Sequence, residues 1–256
     1  MTGGPDFVVV STADHVSIVR LSRPPNNFFS VGMIESLATT LESLDGDGDT
    51  RAVVLAANGK HFCAGADFSE SGRNDTTADL YRAAVRLFRT ETPIVAAVQG
   101  AAIGGGLGLA LAADFRVAAP EARFSANFAR LGFHHGFGLS VTLPALVGHQ
   151  RAAELLYTGR RIGGEEAADI GLVDRAVPLT ELDAAAHALA AEIAGSAPLA
   201  VRSIRATLRG DLADRVAAAT DHEMAEQERL RRTPDFREGT RAMTERRPPN
   251  FTGVES

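Results

Sequence analysis

Ile94-Val95-Ala96-Ala97-Val98-Gln99-Gly100-Ala101-Ala102-Ile103-Gly104-Gly105-Gly106-Leu107-Gly108-Leu109-Ala110-Leu111-Ala112-Ala113-Asp114 is the segment around which this chain is arranged. Residues 94–98 are a short apolar run, the mark of a strand buried on both faces. A helix of small residues leaves the segment. The glycines between let the backbone turn sharply and let a ligand approach main-chain atoms. The first N–H groups of a helix have no partner inside it, and the dipole is positive at that end. The junction therefore suits a negative oxygen. A tight strand-to-helix connection, with glycines for packing alone, is the alternative. Gly-Gly-Gly-Leu-Gly lacks the lysine and hydroxyl of a phosphate loop and the spacing of a dinucleotide fingerprint.

Upstream, residues 7–10 and 16–21 read as a hairpin ended by Pro24-Pro25. Ser30 is placed to cap a helix over 31–44, with Met33, Ile34, Leu37 and Leu41 on one face. Asp45-Gly46-Asp47-Gly48-Asp49 lacks the closing glutamate of a calcium loop and reads as a solvated turn. Residues 52–57 are the next buried strand, and 80–89 are helical. Downstream, 115–118 and 173–177 read as strands and 139–147, 151–157 and 164–170 as short helices. This alternation predicts parallel βαβ units. From 179 onward four helical segments follow, and the block after 196 has little apolar volume of its own. We divide the chain into a core over 1–195 and a helical oligomerisation region over 196–256.

The 256 residues are 45% hydrophobic, enough for a sizeable core. A net charge of −6 supplies no basic field, so nucleic acid and anionic membrane are excluded as expected partners. Lys60 is the only lysine and Cys63 the only cysteine, so no internal disulfide can form. No signal segment precedes the first strand and no apolar run reaches spanning length, so the expected location is cytoplasmic. No metal-ligand cluster is evident.

A second motif, Gly59-Lys60-His61-Phe62-Cys63-Ala64-Gly65-Ala66-Asp67-Phe68, follows the strand at 52–57. Two small-residue loops that aim N–H groups at one point form an oxyanion hole. At these motifs the sequence resembles the crotonase superfamily, the enoyl-CoA hydratase/isomerase group. The match continues through Ala113-Asp114-Phe115-Arg116, Ala122-Arg123-Phe124, Arg130-Leu131-Gly132, Gly159-Arg160-Arg161-Ile162 and Gly171-Leu172-Val173. The resemblance implies an α/β spiral of ββα/βαβ repeats with a C-terminal helical trimerisation region, giving a homotrimer or a dimer of trimers. It implies an acyl-CoA ligand, with no cofactor besides that thioester. It places the oxyanion hole at the N–H groups of Ala66 and Gly105. Its substrate-binding positions fall on Lys60, Phe62, Ala64, Gly65, Asp67, Phe68, Gly104, Gly108 and Phe128.

The sequence departs from the family where the chemistry is decided. The two glutamates of hydratases that resemble it correspond to Gly108 and Phe128, and a third acidic position used by some isomerases corresponds to Gly136. None of these carries a proton, so two-carboxylate hydration lacks its acid and base. His134 and His135, beside Gly136, are the candidate replacements, with a packed or exposed loop pair as the alternative. Glu70 is read as a solvated loop carboxylate, His61 as a loop tether, Asp114 as a cap or turn residue and Cys63 as a buried inert thiol. Tyr81 either lines the acyl pocket or packs in the core. Arg23, Lys60 and Arg89 are candidates for the CoA phosphates. An acyl-CoA-processing enzyme and a nearly inactive acyl-CoA-binding protein both fit this pattern.

Overall fold

Asp14 and His15 occupy the left-handed region (φ 49° and 66°), the conformation that a two-residue hairpin turn demands. They join β1 (Val8–Ala13) to β2 (Val16–Leu21) in antiparallel register, Ala13 opposite Val16. The computed structural model describes residues 7–66 and 77–255. Asp67, Phe68 and Glu70 therefore lie outside the described residues. Helix α1 (Val31–Gly46) begins where the Ser30 hydroxyl accepts the Met33 N–H at 3.3 Å. Strand β3 (Ala52–Ala57), helix α2 (Thr77–Arg89) and strand β4 (Ile94–Val98) follow. Next come β5 (Ala101–Ile103), α3 (Gly105–Ala112), β6 (Phe115–Ala118) and β7 (Arg123–Ser125). Then α4 (Leu139–Val147), α5 (His149–Thr158), β8 (Ile162–Gly163), α6 (Gly164–Asp169) and β9 (Arg175–Ala176) complete the spiral. The chain closes with α7 (Leu182–Ala194), α8 (Pro198–Arg209), α9 (Leu212–Leu230) and α10 (Pro234–Glu245).

The main sheet has the order β1-β2-β3-β4-β6-β9, parallel from β2 onward. Every residue of β3 and β4 is buried because both faces are covered. Val53 and Leu55 face a large core shared with α1, α2 and α3. Val54 and Val95 face a second core closed by Leu182, Ala186, Leu189 and Ala190 of α7. The sequence reads 99–106 as one glycine turn. The structure instead inserts β5 there, which pairs with β7 in a small second sheet completed by β8. Three residues are too few for a period-2 pattern, so this strand has no sequence signature. The strand expected over 173–177 shrinks to β9, since Leu172 and Val173 are instead buried in the large core.

Asp114 is more than a cap. It accepts from Arg205 Nε at 2.9 Å and from Arg209 Nε at 2.9 Å, both on α8, and from the Ile94 N–H at 2.8 Å. It thereby ties α8 to the base of the central strand. Among the described residues no single helix is long and apolar enough to cross a membrane. Replacing Asp114 with alanine strands two largely buried guanidinium groups. Asp114→Ala is expected to lose about 3–5 kcal/mol, the usual effect of removing one partner from a buried ion pair, read as a lower urea midpoint at unchanged slope.

Candidate active site

The glycine triplet folds as it does because three separate constraints meet there. Gly104 has φ 58° and ψ −120°, a conformation closed to other residues. A Cβ on Gly105 would stand 2.4 Å from the Phe29 ring. A Cβ on Gly106 would stand 2.1 Å from the Cys63 carbonyl oxygen. That last contact lets the 61–66 loop lie directly on the start of α3. Main-chain bonds fix the two together: Cys63 N–H donates to Ala101 O at 2.9 Å, and Ile103 N–H donates to Cys63 O at 3.1 Å. His61 tethers the loop as expected, its Nδ1 accepting the Ala101 N–H at 3.1 Å. Asn27 holds the other side, donating to the carbonyls of Asn58 and His61 at 2.7 Å each.

Two amides are left over. Gly65 O accepts the Phe29 N–H at 3.0 Å, so strand alternation turns the Ala66 N–H to the opposite side. Gly104 N–H donates to Ser125 O at 2.8 Å, and Leu107 and Gly108 donate back to Gly104 O, but Gly105 N–H opens the helix with no such acceptor. Neither the Ala66 nor the Gly105 N–H donates to an acceptor among the described residues. Both residues line one cavity of about 430 Å³.

The cavity wall is largely apolar. Phe29, Leu80, Ile103, Phe128, Leu131, Phe133, Phe137 and Met243 contribute, with Phe128 and Phe133 ring centroids 5.4 Å apart and Phe29 and Phe137 6.1 Å apart. Its polar groups are Asn127 and Gln227, with Thr77, His61, Tyr81, Arg123, Arg161 and Arg231. No carboxylate lies among the described lining residues. Asn127, Leu131, Arg161 and Met243 also border a wider cleft of about 950 Å³ that carries Arg130, Arg246 and Arg247.

The predicted residues separate into two groups. Ala64, Gly65, Ala66, Gly104, Gly105 and Phe128 come together on the cavity wall. Phe62 is buried behind it, and Lys60 is exposed and does not line it. Gly108 lies beneath the Phe137 ring, and a Cβ there would stand 2.6 Å from Phe137 Cβ. The structure does not bring His134 or His135 to the cavity. Their rings stack on each other at 4.1 Å, held from behind. His134 Nδ1 contacts the His135 carbonyl, and His135 Nε2 contacts the Ser140 hydroxyl at 2.8 Å. Arg89 lies on another face, 3.8 Å from Asp214. Arg23 gives Nη1 to the Phe28 carbonyl at 2.6 Å. Cys63 is fully buried, and burial pushes its thiol up to about 12, so it is not a nucleophile.

Sequence reasoning missed the contribution of α9. Glu223 is completely buried and accepts from the Gly138 N–H at 2.9 Å, the Ser140 N–H at 3.0 Å and the Ser140 hydroxyl at 2.7 Å. It caps the start of α4 where Gly138 offers no side chain. Gln227, one turn on, donates to the His134 carbonyl at 3.0 Å and accepts from Arg231 at 3.3 Å. Both are polar residues in a helix whose charged pattern looks solvated, so only the tertiary structure reveals them.

Two main-chain N–H groups without a described acceptor thus open on a largely apolar cavity held in a spiral of βαβ units. Residues 11–254 match the family described as Enoyl-CoA hydratase/isomerase. An enoyl-CoA isomerase/hydratase of Zymoseptoria tritici is 34% identical over 264 residues, covering 93% of this chain and 84% of its own. The crystal structure of an enoyl-CoA hydratase/isomerase from Pseudoalteromonas atlantica superposes with a TM-score of 0.88 at 32% identity, covering 96% of this chain and 100% of that one. That of an enoyl-CoA hydratase from Mycobacterium avium subsp. paratuberculosis gives 0.86 at 29%, covering 96% and 98%. The chain belongs to the enoyl-CoA hydratase/isomerase family of the crotonase superfamily.

The histidine pair has a consequence for stability. Burial, with the charges of His134 and His222, pushes His135 from 6.5 down to about 4. The folded chain thus refuses a proton that the unfolded chain takes near pH 6.5, so this contribution is whole above 6.5 and fades as pH falls toward 4. Glu223, pushed up by burial, acts in the opposite direction. His135→Asn is expected to flatten the fall of urea-unfolding free energy between pH 6.5 and 4.

Proposed function

We propose that this protein binds an acyl-CoA thioester with its carbonyl oxygen between the N–H groups of Ala66 and Gly105, and that the pair stabilises the thioester enolate. The observation that carries this reading is the two unpartnered amides on one apolar cavity. An enolate places its charge on that oxygen, and preset donors gain most when the charge develops. The dipole of α3 adds to the field at Gly105. Arg123 and Arg161, with Arg130, Arg246 and Arg247 in the adjoining cleft, supply positive charge for the CoA phosphates. No cofactor beyond the thioester enters this reading, and the setting is cytoplasmic.

The lining supports a reaction other than two-carboxylate hydration. Phe128 stands at one family acid position, Phe137 covers Gly108 at the other, and Gly136 supplies no side chain at the third. The same observation favours a second reading, an acyl-CoA-binding protein with little or no turnover. Crotonyl-CoA hydration is expected to be far below that of a two-glutamate relative while crotonyl-CoA binding remains measurable by calorimetry. A normal hydration rate would overturn the account of the missing acids. The amide assignment is tested in a Phe29→Ala background, since any Cβ at 105 meets the Phe29 ring. Adding Gly105→Pro there removes the donor. Turnover of any accepted substrate should then fall by roughly 10²–10³ with much less change in binding; unchanged turnover by a folded variant would refute it.

The association expected of the C-terminal region belongs to this proposal. Leu199, Ile204 and Leu208 on α8 are 81%, 59% and 82% exposed, three apolar side chains left uncovered on one helix. We assign them to contacts between copies of the chain in a trimer or a dimer of trimers. Light scattering at micromolar concentration should give that mass, and Leu208→Glu should lower it.

A further inference from the structure

The space at Gly136 is already occupied. A Cβ placed there would stand 1.8 Å from the Tyr81 hydroxyl oxygen and 2.7 Å from Gln227 Nε2. Tyr81, from α2, is buried in the cavity wall with its hydroxyl where a side chain from position 136 would project. The Gln227 amide and the Phe137 N–H lie close to that oxygen. The Gln227 amide is oriented by its own partners. Its Oε1 accepts from Arg231, so its Nε2 carries the hydrogens and donates one to the His134 carbonyl. The hydroxyl is thus a buried polar group whose hydrogen has no bonded acceptor among the described residues. Around it the wall is hydrocarbon: Leu80, Phe133 and Phe137.

We propose that Tyr81 selects the acyl group. Its hydroxyl is available to donate, so the fitting ligand is an acyl thioester whose acyl chain carries an acceptor oxygen, as a hydroxyl, oxo or carboxylate group. The inference rests on the acyl-CoA reading above and deepens it. A plain hydrocarbon chain strips the hydroxyl of solvent and leaves it unpaired, whereas an acceptor oxygen satisfies it. Burial, reinforced by the Glu223 charge, pushes the phenol up, so the proton stays on the oxygen at neutral pH.

The test is calorimetric titration of the full chain with butyryl-CoA, 3-hydroxybutyryl-CoA and succinyl-CoA. At least one oxygenated thioester should bind the wild type about 3- to 10-fold tighter than butyryl-CoA, the range of one net hydrogen bond. Tyr81→Phe should erase that preference, the oxygenated thioester losing its advantage over butyryl-CoA. Gly136→Ala, which drives a methyl into the hydroxyl, should erase it as well. A measurement on the wild type stands independently of either variant. The chain has two tyrosines and no tryptophan, and Tyr157 is 78% exposed. Tyrosine emission at saturation should therefore differ between the preferred oxygenated thioester and butyryl-CoA, whose CoA portions are identical. Butyryl-CoA binding without any preference, a preference that survives Tyr81→Phe, or identical emission overturns the role of Tyr81 and leaves the acyl-CoA reading standing. No binding of any of the three overturns both.

Discussion

The Cys63 carbonyl oxygen occupies the place where a side chain at position 106 would have to be. Everything at the cavity follows from that contact. It lets two loops that are forty residues apart in sequence lie against each other with main-chain atoms touching. Helix α2 and strands β4 and β5 lie between them in sequence. Once the loops are seated, the Ala66 amide and the amide that opens α3 have no other place to go. The site is thus a by-product of packing two backbones closely, and it needs no functional side chain at either donor.

Rigid framing makes such an arrangement worth having. Backbone donors are fixed only as well as the elements that carry them. Here β5 sits on β7, the loop sits on β5, and α3 is buried along its whole length. The base of β4 is anchored through Asp114 to two arginines of α8. On the far side Glu223 of α9 holds the start of α4, and through it the turn that carries Phe137. The C-terminal helices therefore do two jobs in one chain. Helix α8 braces the sheet and leaves apolar side chains exposed, while α9 and α10 complete the cavity with Gln227, Arg231 and Met243.

The order of elements was legible in the sequence because it rests on local rules. Ser30, the apolar runs at 52–57 and 94–98, and the helical segments after 179 stand where period and capping put them. The two glycine-rich loops were legible as well, since small residues in sequence leave few reasons to be small. What local rules could not reveal was long-range. Strand β5 is three residues whose conformation is imposed by β7 and Cys63. His134 and His135 have the right chemistry and the right neighbours in sequence, but His135 is turned to Ser140 and His134 stacks on it instead of lining the cavity. For Tyr81 the sequence leaves pocket wall and core both open, and Gln227 looks like an ordinary helix residue until the backbone of Gly136 comes up against both. Arginines at 123 and 161 reach the cavity, while those at 23 and 89 do not, and nothing in their immediate sequence distinguishes them.

The Phe137 ring over Gly108 also constrains how this chain can change. Any residue with a Cβ at 108 collides with Phe137, so an acid cannot appear there as a single step. If the ring is trimmed first, a buried aromatic is lost at a cost of about 3–5 kcal/mol before the new group arrives. If the acid comes first, it must be forced into a filled space and buried without a partner. Both orders pass through a chain less stable than either end point. The present pair is therefore a local trap in sequence space: the two positions move together or not at all, and divergence is channelled to freer positions around the cavity.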